Sequence, residues 1–550
     1  MRRILVLLTA LLIPAAVLGG GNTGDPRTEQ RRWPRKSGFY SFYRHSGPIG
    51  VGALPGAGCR TGTATQPADY AGNMRLDCDG ESPHNETTIV VDPLNPDHAV
   101  GGYHAYLGES TGSTSVIRVV GTTSVTFDAG ETWREVVPPI HPYQFTGDPA
   151  LAFDSRGRLY FANIADHEGP GGNFTGPSVV VARSDDGGLS WSSPATVARG
   201  FTAITKGKRF GPNVFNDKDF IATDAGIGSP YRDRVYVTWT RFQDVFTPKR
   251  AFFTAPIFLS YSDDGVTWSP AKAISGFNQA LCIARFFGLQ GQCDVNQESY
   301  PAVAPSGRVY VSFTNFNTVA QSQILVTSSD DGGVTWGTPS RVDFIEDFNL
   351  PISANFEPVL TGCNFRLSFK ANTAGDPADA TGKTVYVVWS DNRNGGLDPA
   401  SGNFVSNLDV FLGRSTDGGE TWSVVPVNLS PNDQFFPWVA VAPDGRVDVG
   451  YMDRAYSSGQ DVCRYGYSLT RLTFDASGNV AGKTQTRLDS ALSDPGNSFW
   501  FGQNSAFIGD YSGIAVDAGG RTWAAWTDER SAVGPADSRK GQHAVAGQAP

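Results

Sequence analysis

From about residue 83 onward, apolar and polar residues alternate in short runs broken by Gly, Pro and Asp. The stretch "YPAVAPSGRVYVSF" (300–313) shows the pattern: an alternating run, a glycine turn, then a second alternating run. Period-two alternation bounded in this way predicts strand–turn–strand. The phrase returns as "DPALAFDSRGRLYFAN" (148–163), "DRVYVTW" (233–239), "KTVYVVW" (383–389), "VAVAPDGRVDVGY" (439–451) and "GIAVDAGGRTWAAW" (513–526), with a divergent first copy at 87–103. Short acidic turns ending in Trp follow in five places: "TFDAGETW" (126–133), "SDDGGLSW" (184–191), "YSDDGVTW" (261–268), "SSDDGGVTW" (328–336) and "STDGGETW" (415–422). One strand before and one after such a turn complete a four-stranded antiparallel meander. Seven units are expected, starting near 83, 147, 216, 298, 353, 433 and 508, the last two without the acidic turn. Radial repetition of such units makes an all-β fold, a β-propeller. Seven blades are expected, or six if the first or last unit is not a blade.

Composition narrows the function classes. The 550 residues include 64 Gly and 35 Pro, which suits many turns, and the net charge of −10 lacks the basic face that nucleic acid requires. Residues 1–20, "MRRILVLLTALLIPAAVLGG", carry two arginines and then an apolar run, the pattern of a signal peptide. The run is short for a membrane span, so a secreted, extracellular protein with no span after cleavage is expected. Residues 21–80 read as an irregular N-terminal extension and 81–550 as the propeller. Six cysteines in an exported chain point to disulfides. Local spacing favours Cys59–Cys78 and Cys282–Cys293, leaving Cys363–Cys463. Zinc is the competing reading, but there is no CxxC, and the histidines do not cluster along the chain.

The acidic turn holds itself together. The side chain of Asp128, Asp186, Asp263, Asp331 or Asp417 can accept bonds from backbone N–H groups just downstream, and the following Trp packs between sheets. The pattern Ser/Thr-x-Asp-x-Gly-x-Thr-Trp resembles the Asp-box of sialidases and related bacterial neuraminidase repeats, over about 83–550. In that family the box joins strands three and four on the face opposite the active site. The resemblance therefore makes these turns structural and directs the search to the other face.

That face receives the chain before each first strand and the loops between strands two and three. Before the first strands stand Glu86, Asp148, Asp217 with Asp219, Glu298, Glu357, Asp433 and Asp510. After the second strands come Tyr103, Asn163, Trp239, Phe313, Trp389, Tyr451 and Trp526, followed two residues on by Arg241, Asp391 and Asp528 among others. "WSDNR" and "WTDER" add Arg393 and Arg530. Paired carboxylates serve glycoside hydrolysis, and arginines bind carboxylates in bidentate fashion. The candidate substrate-binding residues are Arg241, Asp391, Arg393, Asp528 and Arg530. The bland reading makes Asp391–Arg393 and Asp528–Arg530 ion pairs that clamp loops. The axial acids could also seat Ca²⁺.

The resemblance implies a glycosidase of the exo-alpha-sialidase type, with Tyr511 and either Glu298 or Glu357 as the nucleophile pair and Asp148 as the acid. The family's Arg-Ile-Pro motif is absent; the first unit offers Glu86 and no arginine. The expected function is hydrolysis of an extracellular glycan or polysaccharide, with an acidic sugar among the candidates, by a monomer. A polysaccharide lyase using His104 or Tyr511 as base, and a non-catalytic propeller that binds carbohydrate or protein, stand as alternatives.

Overall fold

The computed structural model describes residues 44–46, 59–60, 70, 72–77 and 83–550, apart from 112–113, 170–172, 175, 202–203, 206–207, 210–213, 247–250, 284–288, 354–356, 458–462, 498–506 and 531–541. The signal-peptide expectation and the Cys59–Cys78 bridge fall outside the described residues.

Seven antiparallel sheets of at least four strands form a ring. Their innermost strands are His84–Asp92, Phe145–Phe153, Val214–Thr223, Asn296–Val303, Asn372–Gly375, Gln434–Val441 and Gly513–Val516. Each innermost strand packs against the next, and the last returns to the first. The protein is thus a seven-bladed β-propeller, as the alternation predicted. Blade 5 starts at Asn372, not near 353, and 346–371 is a long connection before it.

Ring closure uses residues assigned by sequence to the extension. Met74–Arg75 pairs with His543–Ala549 as the outermost strand of blade 7, so the propeller begins before residue 81. One sheet therefore contains both ends of the propeller, which ties them together without a covalent link. Two disulfides add constraint, Cys282–Cys293 in the connection to blade 4 and Cys363–Cys463 between the connection to blade 5 and a loop of blade 6.

The repeated acidic turn does two jobs. Within it, the carboxylate accepts from a backbone N–H downstream: Thr132 N to Asp128 at 2.8 Å, Ser190 N to Asp186 at 2.8 Å, Thr335 N to Asp331 at 2.7 Å and Thr421 N to Asp417 at 3.0 Å. In the third copy Asp264, not Asp263, takes this role. Thr267 N donates to Asp264 at 2.6 Å and Ser262 Oγ at 2.9 Å, because this copy is one residue shorter between Asp and Gly. Asp263 instead pairs with Arg234.

The turn's carbonyls also bind the preceding blade. Gly187 O faces His98, and Asp264 O accepts from Arg183, Gly332 O from Arg234, Gly418 O from Arg308 and Ala129 O from Gln548 of blade 7. All five turns therefore stitch one blade to its neighbour, a structural reason for the repetition.

Candidate active site at the propeller axis

Strand register identifies equivalent positions around the ring. The first core pairs are Thr88–Gly102, Ala150–Ala162, Phe220–Thr238, Tyr300–Ser312, Asn372–Val388, Trp438–Gly450 and Gly513–Ala525. Two residues upstream of each lie Glu86, Asp148, Lys218, Glu298, Lys370, Phe436 and Tyr511. In five blades the register shifts at this point, and the residue adopts a left-handed backbone: Glu86 (φ 53°), Asp148 (φ 53°), Lys218 (φ 52°), Glu298 (φ 63°) and Phe436 (φ 51°). Such a conformation costs a non-glycine residue about 1–3 kcal/mol, and a bulge re-aims its side chain. The bulge belongs to the scaffold. What varies from blade to blade is the side chain, and hence the chemistry.

These side chains converge. Lys218 Nζ lies 2.7 Å from Asp510, 3.1 Å from Glu86 and 3.3 Å from Asp148, bringing together blades 1, 2, 3 and 7. Lys218 is only 2 % exposed and Glu86 and Asp148 are fully buried. Arg366, from the connection to blade 5, grips Asp510 with Nε and Nη2. The Cys363–Cys463 bridge anchors the same connection three residues upstream. Gly509 is required here: it has φ +88°, and a Cβ on it would lie 2.7 Å from the Glu86 nitrogen.

The environment splits the proton affinities of the acids. Burial, reinforced by the Asp148 and Asp510 charges, lifts Glu86 well above the usual carboxylate range despite Lys218. Burial opposes the charge of Asp148 most strongly, but Lys218 and the other groups around it together outweigh burial and hold this carboxyl below its ordinary value. Against the same burial, Arg366 and Lys218 keep Asp510 ionised. Burial beside Asp148 pushes Asp217 up to about 7. Glu86 thus holds its proton more tightly than the neighbouring Asp148.

His104 is neutral, with burial lowering it to about 3. Its Nε2 accepts the Asp148 backbone N–H at 2.7 Å, which leaves the proton on Nδ1, 3.2 Å from Asn85 Oδ1. With that lone pair engaged, His104 is a poor proton acceptor for lyase chemistry. The carboxyls of Glu86 and Asp148 lie within 4.8 Å of the His104 nitrogen and of each other, a spacing a metal could use. The engaged Nε2 and the Lys218 ammonium do not fit a cation there, Ca²⁺ included.

A second part of the site surrounds Lys370. Its ammonium is buried and makes no hydrogen bond among the described residues, resting 4.3 Å above the Tyr511 ring and 5.6 Å from that of Phe220. Glu298 accepts from Ser368 Oγ, and burial raises its carboxyl. The Tyr511 hydroxyl donates to Pro149 O at 3.2 Å, and burial, with Glu86 nearby, keeps it protonated.

The structure therefore brings Asp148, Glu298 and Tyr511 to equivalent axial positions. Glu357 lies on the connection, where its backbone pairs with Ser353 and its charge acts on Arg366. Asp433, another acid of the expected ring, binds Arg454, and Phe436 takes the axial place in blade 6. The expected substrate arginines are engaged elsewhere. Arg393 binds Asp391 through two nitrogens, Arg530 binds Asp528 likewise, and each Asp also accepts the indole N–H of Trp389 or Trp526. The ion pairs of the bland reading are thus present. Arg241 stacks on Phe258 at 3.8 Å. Sequence reading missed Lys218, Arg366 and Lys370. A signal for the lysines existed: each axial residue stands six positions before the turn residues Asp92, Asp154, Asp224, Ala304, Asp376, Ala442 or Asp517.

Fold and site thus define a seven-bladed propeller with a buried, mixed-charge cluster on its axis. Neither a family model nor a curated protein matches the chain. Solved structures similar to it include a Hadza microbial sialidase (16 % identity, TM-score 0.39), of which the chain spans 64 % while 68 % of the chain is covered. A leech intramolecular trans-sialidase (11 % identity, TM-score 0.40) matches over 91 % of this chain and 98 % of its own. An alpha-L-arabinofuranosidase from Fusarium graminearum (12 % identity, TM-score 0.39) matches over 74 % and 95 %. At these identities the likeness adds nothing beyond the propeller that the sheet topology establishes.

Proposed function

We propose that the protein is an exported glycoside hydrolase that cleaves extracellular glycans or polysaccharides at the propeller axis. One observation carries the reading: Glu86 and Asp148 adjoin on the axis with their proton affinities driven apart. A neutral carboxyl beside a carboxylate is the acid-plus-stabiliser pair that glycosidic cleavage uses. In this reading Glu86 protonates the leaving oxygen, Asp148 stabilises positive charge at the sugar carbon or attacks it, and Lys218 keeps Asp148 ionised. Lys370 offers its unsatisfied ammonium to an anionic group of the sugar. Glu298 and Tyr511 flank that ammonium. The Asp-box resemblance of the five turns agrees with a carbohydrate-acting propeller, and the two disulfides agree with export.

A second reading has its own support. Lys218 is bonded to three carboxylates and almost wholly buried, as expected of an ionic plug in a propeller that binds ligands on its rim. Hydrolysis of a panel of aryl glycosides (sialosides, uronides and arabinofuranosides) and of polymeric uronides separates the two. The hydrolase reading expects turnover by the wild type that Glu86→Gln and Asp148→Asn each reduce at least 100-fold, as loss of acid–base catalysis does. No turnover of any substrate, or turnover that both variants retain, leaves the plug.

A further inference from the structure

Away from the axis, the point of ring closure gathers three metal-ligating side chains from remote parts of the sequence. Asp77 follows the closing strand Met74–Arg75, His84 opens the innermost strand of blade 1, and His543 opens the third strand of blade 7. All three are buried, at 0 %, 0 % and 4 % exposure. One ligand atom from each lies within 4.8 Å of the others. The histidines, dispersed along the chain, thus meet as a pair through the fold.

We propose that Asp77, His84 and His543 bind one divalent transition metal of the zinc class, which staples the two ends of the propeller. The spacing carries the proposal. His84 Nδ1 is 3.4 Å and His543 Nδ1 3.2 Å from Asp77 Oδ2. Tetrahedral zinc with bonds of 2.0–2.1 Å holds its ligands about 3.3 Å apart. Two imidazoles and one carboxylate also form a donor set suited to that metal class.

The surroundings are those of a held ligand. The other Asp77 oxygen receives Arg75 Nε, and Ala544 N donates to Oδ2 at 2.9 Å, so the carboxylate cannot swing away. The His84 ring meets Tyr103 edge-on at 5.1 Å and the His543 ring meets Tyr70 at 5.9 Å, which orients both imidazoles. Partners that orient the ligands are a regular part of metal sites. A metal here joins the closing strand, blade 1 and blade 7 at one atom, so its binding energy adds to the stability of the closed ring.

The test uses the whole chain, saturated with Zn²⁺ and dialysed, with metal content measured by mass spectrometry and unfolding followed with and without EDTA. The expected result is about one zinc per chain, a melting temperature that EDTA lowers and Zn²⁺ restores, and a tetrahedral Co²⁺ absorption band after exchange. His84→Gln and His543→Gln are each expected to lose the metal and the EDTA response. Should either fail to fold, Arg75→Gln keeps all three donors while releasing the carboxylate, and is expected to weaken Zn²⁺ binding about 10–100-fold. A wild type that retains less than a tenth of an equivalent and ignores both Zn²⁺ and EDTA overturns the proposal, as does binding that survives His543→Gln unchanged. The trio is then a hydrogen-bonded His–Asp–His contact.

Discussion

Replacing Lys218 by Met removes the ammonium and keeps most of the side-chain volume. The ammonium serves Asp510 at 2.7 Å, Glu86 at 3.1 Å and Asp148 at 3.3 Å, but the three acids do not lose equally. Asp510 retains the two bonds from Arg366, and burial already favours the protonated form of Glu86. The charge left uncompensated is that of Asp148. Stranding one buried charge by deleting its partner costs about 3–5 kcal/mol. The deficit depends on pH. In the wild type Asp148 sits below its ordinary range; without Lys218, burial moves it above. A raised carboxyl contributes stability that is lost as pH rises through its folded value, so the deficit is largest near neutrality and shrinks toward pH 4. Urea denaturation at about pH 5 and pH 7.5 reads both numbers. Adding Asp148→Asn to Lys218→Met removes the stranded charge and is expected to return about 1–3 kcal/mol at the higher pH. A deficit below about 1 kcal/mol, an equal deficit at both pH values, or no rescue by the second substitution refutes the assignment of Lys218 as the keystone of the axis.

Three further outcomes follow from the same geometry. Asp264→Ala is expected to lose about 1–3 kcal/mol by leaving the Val266 and Thr267 amides without their acceptor; Asp263→Ala, which removes an exposed ion pair with Arg234, is expected to lose no more than about 1 kcal/mol. Denaturation midpoints of the two variants compare them directly. Asp217, raised from 3.8 to about 7, favours the fold when protonated, so its contribution is complete below about pH 4 and lost as pH rises through 7. Asp217→Asn is therefore expected to flatten the pH dependence of unfolding between pH 4 and 8, removing a penalty of up to about 4 kcal/mol at the alkaline end. Cys363→Ser with Cys463→Ser opens a loop of 100 residues and is expected to lose up to about 4.7 kcal/mol, read as a lower unfolding midpoint than the wild type without reductant.

Much of the blade structure was legible because a strand with one face in a core must alternate, and alternation is a local property of the chain. The aromatic positions Tyr103, Trp239, Phe313, Trp389, Tyr451 and Trp526 recur at one register, each following the second-strand partner of a first core pair, and they are buried in the core instead of lying on the axial face. The site was legible only in outline. Asp148, Glu298 and Tyr511 fell within short, regular spacers before their strands. In blade 5 the long connection hides where the strand begins, so Glu357 lies upstream and Lys370 holds the axial strand position. The shortened third turn shifted the reading by one residue, since Asp263 and Asp264 are adjacent and only hydrogen bonds tell them apart.

By itself, the sequence determined the repeat, the alternation within it and the self-bonded acidic turns, all of which depend on residues a few positions apart. Tertiary structure alone decided which charges meet. Lys218, Glu86, Asp148 and Asp510 come from four blades, and Asp77, His84 and His543 from the two ends of the propeller. Their proximity follows from closing the ring, a constraint summed over hundreds of residues; local spacing marks the axial positions but not which charges touch. The proton affinities follow the same rule, because they are set by burial and by neighbours that ring closure supplies.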